Sequence, residues 1–72
     1  MERYRNLGGN SGILGFEIGK DSITVVFKKG KKPYTYSYII AGEKHVENMK
    51  ILARKGLGLH SYIMKYVKNL YD

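Results

Sequence analysis

Five consecutive residues near the middle of the chain, 28–32, hold four lysines around one glycine and lead into Pro33. Four ammonium groups on one short loop repel each other unless an anion lies between them. Each phosphate that such a loop neutralises releases counterions from a nucleic acid, which drives binding at low salt. The alternative is a solvated loop whose charges protect a strand edge from pairing with another chain. The loop, called the lysine loop below, is the first binding candidate, with Lys28, Lys29, Lys31 and Lys32.

Further basic side chains in the second half of the chain extend this candidate surface: Arg54, Lys55, Lys65 and Lys68. Arg54 and Lys55 precede the glycine-containing segment 56–58, and free backbone amides after such a turn can hold a phosphate. The alternative there is an ordinary connection between two helices. The formal net charge of +7 and the pI near 9.7 favour a polyanionic partner such as nucleic acid or an acidic surface.

Acid–base and metal chemistry have little support in the sequence. His45 and His60 lie far apart, and no carboxylate stands at metal-ligand spacing with both. Glu43 and Glu47 form a like-charge pair at i,i+4, which suits a solvated helix face. The chain has no cysteine, so a thiolate metal site and a disulfide are both excluded. We therefore expect no enzyme, no metal site and no cofactor.

The segments on either side of the lysine loop have the alternation of β-strands. Residues 13–18 and 23–27 each place apolar side chains on one face, and residues 34–38 alternate three tyrosines with threonine and serine. A four-residue turn over 19–22 sets Ile18 opposite Ile23, Phe16 opposite Val25 and Leu14 opposite Phe27. All six side chains are apolar and share a face, so this register is self-consistent.

The face taken by the tyrosines depends on the length of the loop before them. A six-residue loop over 28–33 sets Phe27 opposite Tyr34 and Val25 opposite Tyr36, which brings the tyrosines to the apolar face. A five-residue loop would turn them to the other face, where they would form a stacking platform for bases. The even number of residues in the loop favours burial of the tyrosine rings, with their hydroxyl groups at the rim of the core. The expected core contains Phe16, Val25, Phe27, Tyr34, Tyr36 and Tyr38.

Two helices follow the strands. Residues 43–55 place Val46, Met49, Leu52 and Ala53 on one side at helical spacing. After a linker over 56–58, residues 59–70 predict a second helix. Its apolar stripe is formed by Leu59, Ile63, Tyr66 and Leu70. Further apolar residues widen this stripe, so the helix is expected to contact more than one surface: Tyr62, Met64, Val67 and Tyr71.

The order of the elements predicts an α+β fold, in which a three-stranded antiparallel meander is followed by two helices packed on one face. Residues 1–12 are rich in glycine, which raises the entropy cost of ordering the chain, so they predict a flexible N-terminal arm. Residues 13–72 form a single domain in this prediction.

Several of these features, in this order, resemble the KTSC domain, a small bacterial module that occurs at the C-terminus of some lysyl-tRNA synthetases. They are Ser11-x-Ile13, a second strand that ends at Phe27 with a Lys-Gly turn, Tyr34-x-Tyr36, and a last helix that opens between Gly56 and Ile63. The resemblance covers about residues 11–71. It implies a stand-alone or appended module that is suspected of binding RNA.

We therefore expect a small non-catalytic module that binds RNA or another nucleic acid through the lysine loop and the four further cations, with weak sequence selectivity. The alternative is a protein–protein interaction module, which would use the apolar surface of the second helix and the exposed edge of the third strand. The sequence shows no signal peptide, and no apolar run approaches the roughly 20 residues that span a bilayer. The expected protein is cytoplasmic, does not bind a membrane, and is a monomer or a weak homodimer.

Overall fold

The computed structural model describes residues 1–9 and 12–72, as a four-stranded antiparallel sheet and two helices. The strands are β1 (Glu2–Arg3), β2 (Ile13–Ile18), β3 (Ser22–Phe27) and β4 (Pro33–Ser37), and they lie in the sheet in chain order. A short 3-10 turn, Lys29–Lys31, joins β3 to β4. The helices are α1 (Glu43–Lys55) and a second helix made of α2 (Leu59–Tyr62) and a π-helical segment (Ile63–Val67). The α+β class is confirmed.

The predicted number of strands is wrong by one, because residues 2–3 were assigned to the flexible arm and form an edge strand. Glu2 lies opposite Phe16, and the Tyr4 N–H donates to the Leu14 carbonyl at 3.2 Å. The Tyr4 side chain is 4% exposed and belongs to the core. Gly15 permits this approach, since a Cβ there would stand 2.6 Å from the Glu2 carbonyl oxygen. The arm prediction for residues 10 and 11 lies outside the described residues.

The pairing of β2 with β3 follows the prediction up to Phe16 and Val25. Beyond them a β-bulge places Ile13, rather than Leu14, opposite Phe27. A bulge sets two residues against one and so changes which side chain faces the core. Ile13 is buried as a result, whereas Leu14 is only half-buried.

The pairing of β3 with β4 is shifted by two residues from the predicted register. Val25 lies opposite Tyr34, not opposite Tyr36, and the Phe27 N–H donates to the Lys32 carbonyl at 3.3 Å. The tip of the hairpin is therefore shorter than predicted by two residues. A shift of two preserves the alternation of faces, so the tyrosines lie on the predicted side of the sheet.

The structure buries Phe16, Val25 and Tyr36 in the core. The other three residues of the expected core, Phe27, Tyr34 and Tyr38, are partly buried and pack against it. Burial raises the pKa of Tyr36 to about 12, with smaller contributions from the neighbouring tyrosines.

The first helix, α1, begins and ends at the predicted residues. It packs Val46, Met49 and Ala53 against the sheet, and all three are buried. Gly56 ends the helix with φ at 79°, a left-handed conformation that glycine adopts without steric cost.

The second helix ends earlier than predicted and buries a different set of residues. Leu59, Ile63 and Val67 are buried. The prediction had Val67 only at the margin of the apolar stripe and had placed Tyr66 and Leu70 at its centre, and these two are exposed. The buried positions recur every fourth residue, and the last of these steps, from Ile63 to Val67, spans the π-helical segment. Tyr66 is 47% exposed.

Candidate nucleic-acid interface

The lysine loop lies at one end of the sheet, called the basic end below. At this end β2 begins and β3 turns into β4, and the Lys28 N–H donates to the Gly12 carbonyl at 2.8 Å. The second helix also begins here, because the His60 ring meets the Phe27 ring edge-on with centroids 6.3 Å apart. The loop is therefore adjacent to the start of the second helix.

The C-terminus of α1 lies at the same end. The Leu7 N–H donates to the Gly56 carbonyl at 2.7 Å, and the Leu59 N–H donates to the Tyr4 hydroxyl at 3.3 Å. The chain that leaves β1 thus holds the connection between the two helices in place. Arg54 and Lys55, in the last turn of α1, are exposed at this end.

The lysine loop is a tight turn with all its lysine side chains in solvent. Gly30 has φ at 76° and Lys31 has φ at 49°, so both residues adopt left-handed backbone conformations that reverse the chain. Within residues 1–9 and 12–72, the salt bridges join the Met1 amino group to Glu17 and Lys50 to Glu47. Neither neutralises the loop, so its charge faces solvent.

Arg5 is a basic residue at this end that the sequence-based site set did not include. Its Nη2 donates to the carbonyl oxygens of Arg54 at 2.5 Å and Lys55 at 3.5 Å. A cation at a helix C-terminus is favourable because the last carbonyl groups have no partner within the helix and carry partial negative charge. The alternation of Arg3, Tyr4 and Arg5 is the local signal for a strand here, and it is too short to predict one.

The carboxylates lie away from the basic end. Glu17 and Asp21 flank the turn between β2 and β3 at the opposite end of the sheet, and α1 begins there with Glu43. Asp72 accepts a hydrogen bond from the Ser37 hydroxyl at 2.8 Å, where β4 ends. All 6 acidic residues belong to the described part of the chain, and none of them lies at the basic end. The basic end carries seven of the 13 Lys and Arg residues, which are Arg5, Lys28, Lys29, Lys31, Lys32, Arg54 and Lys55.

The contacts of Lys65 place it away from the lysine loop. Lys65 Nζ is 5.3 Å from the centroid of the Tyr66 ring, and Tyr66 stacks on His45 near the start of α1, with centroids 5.7 Å apart. Lys68 follows the π-helical segment, so it too is remote in the helix from His60. The contacts thus bring Arg54 and Lys55 to the lysine loop's end of the fold and place Lys65 elsewhere.

The opposite end contains an ionic network around one buried lysine, Lys50. The Tyr38 hydroxyl donates to Glu47 Oε2 at 2.5 Å, and Lys50 Nζ lies 2.9 Å from the same oxygen. Lys50, which is 8% exposed, also donates to the Lys20 carbonyl at 3.2 Å. Hydrogen bonding to Glu47 raises the pKa of Tyr38 to about 12. The pKa of Glu47 is lowered, first by the hydrogen bond from Tyr38 and then by Lys50.

The tyrosines of the β4 segment do not form an open ladder. Tyr34 and Tyr71 stack with ring centroids 4.7 Å apart, which covers part of the Tyr34 ring. The Asp72 N–H donates to the Thr35 carbonyl at 2.8 Å, so the C-terminal residues also occupy part of the outer edge of β4. This is the edge that the protein-interaction alternative had left exposed.

The two histidines lie in different surroundings. His45 Nδ1 lies 2.7 Å from the Tyr62 hydroxyl, to which Asn48 also donates, whereas His60 lies at the basic end. In the part of the chain that the structure describes, no three His, Cys, Asp or Glu side chains are grouped so that they could hold a metal ion. No helix among the described residues is long and apolar enough to cross a membrane.

No protein-family model, curated protein or solved structure matches this chain. The similarity to the KTSC domain therefore stays a prediction from the residues quoted above.

Proposed function

We propose that this chain is a small nucleic-acid-binding module, with RNA as the expected ligand, which holds the phosphate backbone at its basic end. The segregation of charge carries the proposal. Seven cationic side chains come from segments that are distant in sequence and lie at the same end of the fold, where no carboxylate lies among them. A surface of one sign concentrates a polyanion, and each neutralised phosphate releases counterions.

The residues at this end have different roles in the proposal. The lysine loop supplies mobile point charges for phosphate oxygens, and Arg54 and Lys55 extend the contact from the other side. The Arg5 guanidinium is engaged with the end of α1, so it positions that helix end as well as adding charge. Phosphate contacts fix the orientation of a nucleic acid without reading its bases, so sequence selectivity at these residues is weak.

The test compares two variants that lose the same number of charges. One is K28Q/K29Q/K31Q/K32Q in the lysine loop. The control is K20Q/K44Q/K65Q/K68Q, whose lysines are also exposed and lie outside the lysine loop. Each lowers the net charge of +7 by four, and glutamine keeps a long polar side chain. Affinity for a labelled single-stranded RNA is measured by fluorescence anisotropy at low and moderate salt.

The loop variant is expected to lose at least tenfold in affinity and the control less than about threefold, since a few phosphate contacts carry large salt-dependent free energies. Circular dichroism melts should be alike, because all eight substituted side chains are exposed. Equal losses in both variants would show that net charge, not the basic end, governs binding. Absence of RNA binding by the unmodified chain at low salt would contradict the proposed function.

One observation supports the alternative that this chain is a protein–protein interaction module. Large apolar side chains remain exposed on and after the second helix, among them Met64, Tyr66 and Leu70. Sedimentation velocity over a range of concentrations tests the simplest case, association of two copies through that helix. A dimer that Tyr66→Ser dissociates, together with no affinity for RNA, would favour this alternative.

A further inference from the structure

A cavity of about 230 Å³ opens at the basic end, between the segment that follows β1 and the connection from α1 to the second helix. One side is formed by residues from the N-terminal segment and the other by residues at the start of the second helix. Its lining residues include Tyr4, Asn6, Gly8, Leu57, His60 and Ser61. None of them is acidic, so the cavity does not repel an anionic ligand.

The walls of the cavity combine apolar surface with polar groups. The Tyr4 ring is fixed by its burial and by the hydrogen bond that its hydroxyl accepts from the Leu59 N–H. Leu57 adds an apolar side chain, and His60 and Ser61 add polar ones. The His60 ring is supported by its edge-on contact with Phe27. A flat ring with apolar faces and a hydrogen-bonding edge matches these walls.

The size and the surroundings of the cavity restrict the ligand further. The volume is below the roughly 300–1,000 Å³ of pockets for drug-sized ligands, so it suits one ring system rather than a large cofactor. Arg5 lies between the lining residues Tyr4 and Asn6, and its guanidinium reaches the Arg54 carbonyl. The cavity therefore lies at the same end of the fold as the cations proposed to hold the phosphate backbone, so a ring that enters it can belong to the bound strand.

We propose that this cavity receives a single unpaired base of the bound strand, so that the basic end selects single-stranded over double-stranded RNA. The inference rests on the proposed function and adds the form of RNA to it. Bases in a duplex are stacked and paired and cannot enter without being extruded, whereas unpaired bases can be splayed out and contacted at their edges.

Ser61→Trp is the variant that tests this inference, because an exposed serine at the cavity wall is replaced by a side chain large enough to fill it. Met64→Trp is the matched control, since Met64 is 43% exposed on the same helix and does not line the cavity. Affinities for a single-stranded RNA and for a duplex of the same length are measured at one salt concentration. Circular dichroism melts verify that both variants fold.

Ser61→Trp should weaken binding of the single strand about tenfold and leave the duplex unchanged, whereas Met64→Trp should change neither. His60→Ala, which removes a polar wall without filling the cavity, should also weaken the single strand selectively. Single-strand affinity that is unchanged in Ser61→Trp, or an equal loss for both RNA forms, overturns the inference and leaves the proposed function standing. Failure of the unmodified chain to bind either RNA overturns both.

Discussion

Lys50 differs from the other lysines because its charge is enclosed. Its ammonium group is held by Glu47 and by the Lys20 carbonyl, and it lies 5.6 Å from the centroid of the Tyr38 ring. A buried cation is tolerated only when such partners replace its water. The network therefore joins α1, the turn between β2 and β3, and the segment after β4 at the end of the fold that faces away from the proposed RNA contact.

Glu47→Gln should lower the pKa of Tyr38 from about 12 towards its ordinary value of 10.0, because the carboxylate that accepts the phenol's hydrogen bond is removed. The measurement is the pH titration of the tyrosine ζ-carbon signals by NMR. Tyr36 is an internal control, since burial is the main cause of its raised pKa of about 12. A Tyr38 midpoint that stays near that of Tyr36 in the variant would contradict this assignment.

The same substitution should change how stability depends on pH. The pKa of Glu47 is lowered in the folded chain, so its stabilisation is present above the ordinary pKa of 4.5 and is lost as the pH falls through the folded-state pKa. Urea denaturation should therefore show a larger loss for Glu47→Gln at about pH 7 than at about pH 3. An equal loss at both pH values would mean that the carboxylate charge has no part in stability.

At the scale of elements, the second helix buries Val67 in the core and leaves Tyr66 at the surface. Val67→Ala should lower the free energy of unfolding by about 2 kcal/mol, because two methyl groups leave a fully buried site. Tyr66→Ala should cost less than about 1 kcal/mol, since its ring is largely exposed. Chemical denaturation of both variants measures the difference. The reverse order would support the stripe that the sequence predicted instead.

The edge strand β1 depends on the absence of a side chain at Gly15. Gly15→Ala should destabilise the fold by about 1–3 kcal/mol, because its Cβ would collide with the Glu2 carbonyl oxygen. Hydrogen exchange should locate the damage, with faster exchange at the Tyr4 amide, which donates to Leu14. The Phe27 amide in the hairpin serves as the internal reference, and equal acceleration at both amides would indicate global rather than local loss.

Periodic apolar patterns within a segment predicted the elements that show them. They did not predict the features that depend on contacts between distant segments. The bounds of α1 follow from its amphipathic spacing, and an even hairpin shift kept the tyrosines on their predicted side. β1 has two residues, too few to show alternation. The bulge that buries Ile13 depends on the pairing of β2 with β3, and the periodicity of residues 13–18 alone does not indicate it. The apolar pattern of the second helix likewise included Val67 but did not show that Val67, rather than Tyr66, is fully buried.

The part of the candidate site that lies in one continuous segment could be predicted from the sequence. This part is the lysine loop, where four lysines stand within five residues. The placement of Arg5 on the last carbonyls of α1, and the cavity between Tyr4 and His60, join residues that are about 50 positions apart. Lys65 was assigned to the binding surface because of its charge alone. Its contact with Tyr66, which stacks on His45, places it away from the lysine loop.

At the scale of the whole molecule, the salt dependence of RNA binding should reveal how many phosphates the basic end contacts. For a single strand, the slope of log K against log salt concentration is about −0.7 per neutralised phosphate. Replacing the four loop lysines by glutamine should make the slope less steep by up to about 3. A slope that is unchanged in this variant, measured over the same salt range, would place the phosphate contacts elsewhere.

The placement of the lysine loop at one end and of Glu17, Asp21, Glu43 and Glu47 at the other also has a kinetic consequence. It gives the folded chain a permanent electric dipole moment along the strands. In the field of a polyanion such a molecule experiences a torque before contact. The torque turns the lysine loop towards the polyanion, so the protein samples fewer orientations before it binds. Encounters then begin in the productive orientation, and the association rate constant should fall steeply with ionic strength.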